Sequence, residues 1–224
     1  MGQSGMSEEP ALPAGAEGLG LCGAGCNPEE VMRIDGVILA GGGGRRMGGA
    51  DKALLPLAGQ PLILNAIARL EPQVYRLCLS ANGDPARLAF TGLPVLADDV
   101  SQGPLSGILA ALEASEGADA LVSVAVDTPF FPGDLVPRLW MAADGGLAYA
   151  TCGGRAHPTF ALWPLALRAA LRGWLAAGKA RMMDFCTAHG AVAAPFPGGT
   201  PDPFFNLNTQ DDLAAAEQAI RCAG

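Results

Sequence analysis

The sequence predicts a doubly wound α/β fold in one domain, built around a mostly parallel sheet. Half of the 224 residues are hydrophobic and only 16% are charged, which is typical of a sheet buried on both faces. From Ile34 onward, short apolar runs that end in turn residues alternate with segments of helical periodicity, which indicates successive βα units. We therefore expect one domain over residues 34–224, preceded by an extension over residues 1–33.

The predicted extension differs from the rest of the chain in composition and charge. It is rich in Gly, Ala, Pro and Glu without helical or strand periodicity, and we expect it to be flexible. The first thirty residues contain five acidic residues and no Lys or Arg, whereas the remainder carries 14 basic against 17 acidic residues. A nearly neutral domain argues against a broad basic surface for nucleic acid or anionic lipid, so any anion site must be local.

The cysteine and hydropathy patterns favour a cytoplasmic protein. Six cysteines are scattered along the chain with only two histidines, and Cys22-x3-Cys26 stands alone without a second pair at zinc-ligand spacing. Free thiols are typical of reducing compartments. No stretch approaches the roughly 18 apolar residues of a membrane-spanning helix, and the N-terminus lacks the basic start of a secretory signal. We therefore expect no membrane contact.

The predicted elements begin with a strand over Ile34–Leu39, which leads into a glycine-rich loop through Ala50. Pro61 suits a first helical turn, and the apolar residues from Leu62 to Leu70 then recur at helical spacing. The segment over 120–126 is almost wholly apolar, so we expect it to be a central strand.

Further strands and helices complete the predicted alternation. They are strands over 74–80, 94–97 and 147–152, an extended segment over 158–163, and helices over about 105–116, 134–143, 165–177 and 181–189. The last helix has the clearest start, because Thr209 and Asp212 have the spacing of a capping box. Leu213, Ala216 and Ile220 would form its buried stripe.

The strongest motif is the glycine-rich loop from Leu39 to Lys52. Consecutive glycines let several backbone N–H groups turn toward one anion, and Arg45, Arg46 and Lys52 can neutralise phosphate charge. The loop therefore predicts a triphosphate site, the alternative being a merely flexible loop. Neither a G-x-G-x-x-G dinucleotide motif nor a P-loop fits, because Ala50 stands where the P-loop has its lysine.

A second motif places a carboxylate at the end of a buried strand. Asp127 follows the apolar strand directly, and ligands of open α/β sheets bind outside the carboxyl ends of the strands. Mg²⁺ usually takes one or two carboxylates together with substrate phosphate. Asp127 is therefore the predicted metal ligand, although an Asp that only starts the Thr128-Pro129 turn is the alternative. Arg46, Lys52 and Asp127 form the predicted catalytic set.

These motifs carry a resemblance that covers nearly all of the chain from Ile34 to Arg221. The chain resembles the molybdenum cofactor guanylyltransferase family, among nucleotidyltransferases that begin with a glycine-rich Arg-Met-Gly and Lys signature. The resemblance implies their Rossmann-like nucleotidyltransferase fold. The matching segments are Leu39 to Lys52, Gly59 to Leu62, Gly103 to Gly107, Asp127 to Pro129, His157 to Thr159 and Phe205 to Thr209.

The resemblance also implies how GTP and Mg²⁺ are bound. Leu39, Ala40 and Gly41 would line the guanine and ribose side of the site, Lys52 would meet the triphosphate, Asp98 the nucleoside, and Asp127 the metal ion. Ser80 would contact the nucleoside as well, but the family commonly has Asn at this position. Asn82, two residues later, is a second candidate for that contact.

For the pterin substrate, the resemblance implies a separate set of residues. They are Arg46, Gly49, Gly103, Gly107, Arg181, Asn206 and Asn208. Structural roles compete with this interpretation: the glycines as turns, the two asparagines as the approach to a capped helix, and Arg181 as part of a solvated face. His157 stays outside the catalytic set, because a lone His before Pro is more often a packed turn residue. Cys152 is left out as well, since phosphoryl transfer needs no thiol nucleophile.

The resemblance implies an enzyme that transfers GMP from GTP to the terminal phosphate of Mo-molybdopterin and releases pyrophosphate. Molybdopterin-handling proteins and apo-molybdoenzymes would be transient partners. One alternative is a related cytidylyl- or sugar-phosphate nucleotidyltransferase. Another is a non-catalytic nucleotide-binding subunit on the same fold, against which the presence of both Lys52 and Asp127 argues.

Overall fold

A computed structural model of the protein describes residues 32–41, 51–97 and 103–223, together with Met1. The predicted extension over residues 1–33 therefore lies outside the described residues, apart from Met1, Met32 and Arg33. The flexible extension and its boundary with the domain stay predictions.

Within these ranges, seven strands form one mixed sheet. They are β1 (Ile34–Leu39), β4 (Leu77–Ser80), β5 (Val95–Leu96), β6 (Ala120–Ala125), β7 (Ala148–Cys152), β8 (Arg155–Pro164) and β9 (Val192–Phe196). Two more strands, β2 (Pro56–Leu57) and β3 (Gln60–Pro61), form a separate small hairpin. The strand order of the large sheet is β5-β4-β1-β6-β8-β7-β9.

Helices cover both faces of the sheet, as a doubly wound fold requires. They are α1 (Leu62–Leu70), α2 (Pro104–Ala114), α3 (Leu135–Ala143), α4 (Arg168–Ala176), α5 (Met182–Ala188) and α6 (Gln210–Ala223). In β1, Ile38 packs into the core that α1, α3 and α6 share, whereas Val37 and Leu39 pack into the core shared by α2, α4 and α5. This alternation with period two explains why Val37, Ile38 and Leu39 are all apolar.

Strand direction brings several strand ends to the same edge of the sheet. β5, β4, β1 and β6 are parallel neighbours, and Leu39 lies in register with Ser80 on one side and Ala125 on the other. β8 is antiparallel to β6 and β7, and β7 is parallel to β9. The predicted mostly parallel sheet is therefore confirmed, with β8 as its antiparallel strand.

Most predicted elements are confirmed, with shifts at their ends. Pro61 belongs to β3 and lies just before α1, so it is not in the first helical turn as predicted. β4 begins at Leu77 and not at residue 74. A 3₁₀ turn over Glu71–Gln73 follows α1, and residues 74–76 connect this turn to the strand. The helix predicted from residue 165 begins as a 3₁₀ turn over Leu165–Leu167.

Strand β9 was not predicted from the sequence. Its residues Val192, Ala193 and Pro195 are exposed, whereas Ala194 and Phe196 are buried, so only one of its faces packs on the core. It pairs on one side only, with β7, at the edge of the sheet. A proline is tolerated in such an edge strand, because the N–H groups on its outer side form no hydrogen bonds within the sheet.

The predicted start of α6 is confirmed. Thr209 Oγ1 accepts a hydrogen bond from the Asp212 N–H at 3.1 Å, and Asp212 Oδ2 accepts one from the Thr209 N–H at 2.8 Å. Ala216 is buried, and Leu213 and Ile220 pack against the same core, as the predicted stripe requires. This reciprocal cap fixes the chain just after residues 206–208.

Candidate active site

A cavity opens at the edge of the sheet where β1 and β6 end. Beyond the last paired residues, Ala40 donates its N–H to Ser80 O at 2.8 Å and Val126 donates to Leu39 O at 3.2 Å, so the departing chains stay together. The cavity has a volume of about 250 Å³. The described residues that line it are Leu39, Ala40, Gly41, Lys52, Pro104, Ala125, Val126, Asp127, Thr159 and Asn206.

Lys52 connects two segments that are far from it in the sequence. Its ammonium nitrogen lies 3.0 Å from Asp127 Oδ2 and 2.9 Å from Asn208 Oδ1. The Lys52 and Asp127 side chains are 19% and 21% exposed, so the ion pair is shielded but still reachable by a ligand. Three of the predicted site residues therefore meet at one point.

The local chain around Lys52 is fixed by the residue before it. Asp51 accepts a hydrogen bond from the Ala53 N–H at 3.1 Å and so caps the 3₁₀ turn over Lys52–Leu54. Ala53 is completely buried, so this turn is anchored in the core. The backbone of Lys52 is consequently held while its side chain reaches across the cavity.

The segment 206–208 is bound to the turn after β6. Leu207 donates its N–H to Asp127 O at 2.8 Å, and Thr128, which is fully buried, donates its hydroxyl to Asn206 Oδ1 at 2.5 Å. Leu207 is itself buried. We refer to Lys52, Asp127, Thr128, Asn206 and Asn208 as the Lys52 cluster.

Asp212 orients the same segment from the start of α6. Its carboxylate accepts hydrogen bonds from the N–H groups of Asn208 at 2.9 Å and Thr209 at 2.8 Å. The hydrogen bond from Asn208 is the main cause that lowers the pKa of Asp212, and the bonds from Thr209 and the charge of Lys52 lower it further. Asp212 therefore stays ionised and holds Asn208 toward Lys52.

Gly107 and Ser80 are in contact where α2 packs on the sheet. A Cβ atom at Gly107 would lie 2.2 Å from Ser80 Oγ and 3.2 Å from Leu39 Cδ2, so only glycine allows this close approach. This contact gives Gly107 a packing role, and its predicted substrate contact remains a prediction. Ser80 is buried and directed at α2, whereas Asn82 is exposed in the next loop.

Gly103 lies directly before the cavity-lining Pro104 and has a backbone conformation that favours glycine. It precedes α2 with φ of 85° and ψ of −160°, a conformation that essentially only glycine adopts. Pro104, the first residue of α2, lines the cavity. Arg181 is exposed at the start of α5 and is not among the described residues that line the cavity.

Comparison with known proteins identifies the family. The family model described as the MobA-like NTP transferase domain matches residues 36–192. A molybdenum cofactor guanylyltransferase from Cereibacter sphaeroides is 58% identical over 192 residues, which cover 85% of this chain and 98% of that protein. A protein of the same name from Mesorhizobium japonicum is 48% identical over 200 residues, covering 84% and 96%. The chain belongs to the molybdenum cofactor guanylyltransferase family.

Solved structures confirm the nucleotidyltransferase fold of this guanylyltransferase family member. Molybdopterin-guanine dinucleotide biosynthesis protein A from Archaeoglobus fulgidus is similar with a TM-score of 0.68 at 20% identity, over 84% of this chain and 99% of that chain. A nucleotidyl transferase from Methanothermobacter thermautotroptrophicus has a TM-score of 0.69 at 22% identity, over 85% and 99%. The predicted Rossmann-like nucleotidyltransferase fold is therefore confirmed.

Several predicted site residues fall outside the described ranges. They are Arg46, Gly49 and Asp98. Most of the glycine-rich loop also lies outside the described ranges, so its role in triphosphate binding stays a prediction. None of the helices in the described part of the chain combines the length and apolar composition needed to cross a membrane.

His157 and Cys152 behave as packed residues. The His157 ring stacks on Phe204 with centroids 4.5 Å apart, and burial is the main cause that lowers its pKa. Burial likewise raises the pKa of the Cys152 thiol. A lowered His pKa and a raised thiol pKa disfavour the charged pair that a Cys/His nucleophile needs. Their omission from the predicted catalytic set agrees with this packing.

Sequence reasoning missed three residues that shape the site. Thr128 and Thr159 lie in segments that match the family, but their side chains were given no role. Arg87, which forms an ion pair with Asp51, lies in a short aperiodic segment where no motif draws attention to it. Only the fold shows that Thr128 and Arg87 bind distant segments and that Thr159 lines the cavity.

Proposed function

We propose that this protein transfers GMP from GTP to the terminal phosphate of Mo-molybdopterin, which gives the molybdopterin guanine dinucleotide cofactor and pyrophosphate. The meeting of Lys52, Asp127 and Asn208 at the carboxyl edge of the parallel strands carries this proposal. Each of the three lies in a segment that matches the guanylyltransferase family. The names of relatives up to 58% identical support the choice of GTP and a molybdopterin acceptor.

The nucleophile requires little activation. A phosphate monoester has a second pKa of about 6, so the terminal phosphate of the acceptor is mostly ionised at neutral pH. One of its oxygens attacks the α-phosphorus of GTP, a new P–O bond forms, and the bond to the bridging oxygen of pyrophosphate breaks. No general base is needed, and the enzyme supplies alignment and charge compensation.

Lys52 has the position and the donors for the triphosphate. An ammonium has three N–H groups, and those of Lys52 that face Asp127 and Asn208 hold it at the cavity wall. A phosphate oxygen can accept the third N–H. Arg46 would add a second positive charge from the glycine-rich loop. We assign Leu39, Ala40 and Gly41 to the nucleoside side on the strength of the family resemblance, and all three line the cavity that also contains Lys52.

Ser80 or Asn82, together with Asp98, would complete the nucleoside side. We assign the acceptor to the part of the cavity lined by Asn206, which is exposed and anchored by Thr128. Asn208 would lie where the two substrates meet, since it already contacts Lys52. Gly49, Gly103, Gly107 and Arg181 remain proposed acceptor-side residues on the strength of the family resemblance.

The donor set fits Mg²⁺. Among the described residues, no three His, Cys, Asp or Glu side chains gather into a self-sufficient metal site. Asp127 offers one carboxylate, and the Asn206 and Asn208 amide oxygens are nearby hard ligands, which suits an ion bound mainly through substrate phosphates. When bound there, Mg²⁺ would neutralise charge on the triphosphate. Asp127 would hold it.

The location and the protein partners belong to the same proposal. Cys78, Cys152, Cys186 and Cys222 are free thiols, which suits the reducing cytoplasm. Transient contacts with molybdopterin-handling proteins and apo-molybdoenzymes would deliver the acceptor and receive the product.

Pyrophosphate release with GTP or CTP, each with and without Mo-molybdopterin, tests the proposal. We expect release and a dinucleotide product only with GTP, the acceptor and Mg²⁺ together. Asp127→Asn should abolish GMP transfer while the thermal unfolding temperature stays within a few degrees. Product formed with CTP but not with GTP would favour a cytidylyltransferase, and binding of GTP without turnover would favour a non-catalytic subunit. Full activity of Asp127→Asn would contradict the metal assignment.

A further inference from the structure

Arg87 joins two segments on one side of the candidate active site. It lies in the 3₁₀ segment Pro85–Thr91 between β4 and β5. Its Nη1 forms an ion pair with Asp51 Oδ2, and its Nη2 donates to the Asn82 carbonyl at 3.2 Å. One guanidinium therefore connects the loop after β4 to the residue that precedes Lys52.

Asp51 uses its two carboxylate oxygens for different tasks. Oδ1 accepts the Ala53 N–H at 3.1 Å and caps the turn over Lys52–Leu54, while Oδ2 binds Arg87. The Arg87 and Asp51 side chains are both only 25% exposed, so water screens this ion pair less than one at the open surface. Arg87 thus holds the carboxylate that fixes the backbone of Lys52.

We propose that Arg87 is a positioning residue for GMP transfer. It keeps the Asn82 loop, on the proposed nucleoside side, and the Lys52 turn, on the triphosphate side, as one rigid unit. Lys52 then reaches Asp127 and Asn208 without having to be ordered during the reaction. This inference rests on the proposed function, because its consequence is the alignment of GTP.

The chemistry of arginine explains why this residue type is needed. A planar guanidinium donates in two fixed directions, here to a carboxylate and to a backbone carbonyl, whereas a lysine ammonium cannot reproduce that fork. Misplacement of a reacting group by about 1 Å can cost roughly 100-fold in rate. Because Asp51 already neutralises Arg87, the structure favours action through Asp51 over direct binding of phosphate.

The test compares four proteins: the wild type, Arg87→Met, Asp51→Asn and the double variant. Calorimetry gives the Kd for GTP, and steady-state kinetics gives kcat and KM for GMP transfer. We expect each single variant to lower kcat by about 10- to 100-fold and to weaken GTP binding. The kcat of the double variant should equal that of the less active single variant, because both substitutions break the same connection.

Rescue experiments separate positioning from a general loss of structure. Millimolar guanidinium should restore part of the activity of Arg87→Met but none of that of Asp51→Asn. Arg87→Lys, which keeps the charge and loses the fork, should remain impaired, and it decides the matter if Arg87→Met unfolds. Arg172→Met is the matched control, since Arg172 forms an exposed ion pair with Glu113 away from the cavity, and it should keep wild-type kinetics.

The outcomes that contradict the two proposals differ. Wild-type kcat in Arg87→Met or Arg87→Lys, or single effects that multiply in the double variant, would overturn the positioning role. A wild-type protein that binds GTP but transfers no GMP would overturn the proposed function instead. The GTP affinities of the variants would then still decide whether Arg87 acts through Asp51.

Discussion

Two clusters of the molecule join distant parts of the chain by different forces. The Lys52 cluster at the cavity is held by directional bonds of 2.5–3.0 Å between polar groups, most of which are at least partly exposed. The Phe185 cluster, formed by Trp163, Trp174, Phe185 and His189, is held by ring contacts with centroids 4.1–6.2 Å apart around a fully buried phenyl ring. One cluster is open to substrates, whereas the other belongs to the core between the sheet and helices α4 and α5.

The difference predicts a division of labour. Apolar burial is non-directional and roughly proportional to area, so the Phe185 cluster contributes chiefly to the free energy of unfolding. A shielded ion pair gains attraction but loses hydration, so its net contribution to stability is small. Its geometry, however, is the geometry that a substrate meets. Substitutions in one cluster should therefore change stability, and substitutions in the other should change activity.

Phe185→Ala should have the largest effect and should act on stability. Truncating a fully buried Phe leaves a cavity and costs about 3–5 kcal/mol. Urea unfolding would measure this loss, and kcat of the folded fraction should stay within about twofold of wild type. Phe90→Ala is the control, because Phe90 is 55% exposed and its loss should cost less than about 0.5 kcal/mol. A loss of kcat without a loss of stability would break the comparison.

Lys52→Met should have the next largest effect and should act on activity. It removes the charge that we assign to the triphosphate, and loss of one such group typically lowers kcat by about 100- to 1,000-fold, or about 2.7–4 kcal/mol. Lys179→Met is the matched control, since the Lys179 ammonium lies 4.3 Å from the centre of the Trp174 ring beside the Phe185 cluster. Its GMP transfer should be unchanged. Equal kinetics in the two variants would contradict the assignment of Lys52.

Sequence reasoning predicted the parts of the fold that depend on local pattern. The strand over Ile34–Leu39, which ends in three apolar residues before the glycine-rich loop, and the Thr209–Asp212 cap each have a signal within a few residues, and both are confirmed. β9 has no such signal, because its existence depends on pairing with β7 more than forty residues earlier. Pro195 even argues against a strand until its edge position is known.

The candidate site was predictable where chemistry-bearing residues follow a strand. Asp127 and Lys52 stand out because charged residues are scarce in this chain, and the structure brings them within 3.0 Å. The hydroxyl of Thr128 and the guanidinium of Arg87 could not be assigned, since their partners Asn206 and Asp51 are 78 and 36 positions away. Gly107 is the opposite case: the motif drew attention to it as a substrate contact, whereas the structure shows that close packing against Ser80 requires glycine there.

Thr128 allows stability and activity to be separated at one position. Thr128→Val keeps the shape and removes the hydroxyl that anchors Asn206, so GMP transfer should fall by about tenfold, which corresponds to about 1.4 kcal/mol. Thr128→Ser keeps the hydroxyl and removes a buried methyl group, so it should keep its activity and lose about 1 kcal/mol of stability. Kinetics and urea unfolding of both variants measure the contrast. The reverse pattern would mean that the Thr128 hydroxyl does not position Asn206.

Asp212→Asn should have the smallest effect and should link the two properties through pH. The variant weakens the cap of α6 and should lose about 0.5–1 kcal/mol at pH 7, together with a small decrease in kcat because Asn208 is less firmly held.

The hydrogen bonds of Asn208 and Thr209 lower the pKa of Asp212 below its ordinary value of 3.8, so the unfolded chain takes up a proton first as the pH falls. The contribution of Asp212 is therefore complete above pH 3.8 and is lost as the pH falls through the lowered pKa. Urea unfolding between pH 7 and pH 2 should show the wild-type and Asp212→Asn stabilities converging at the acid end. Asp211→Asn serves as control, because the exposed Asp211 contributes through the helix dipole, by about 0.3 kcal/mol. A difference between Asp212→Asn and wild type that stays constant at all pH values would show that the carboxylate charge does not stabilise this segment.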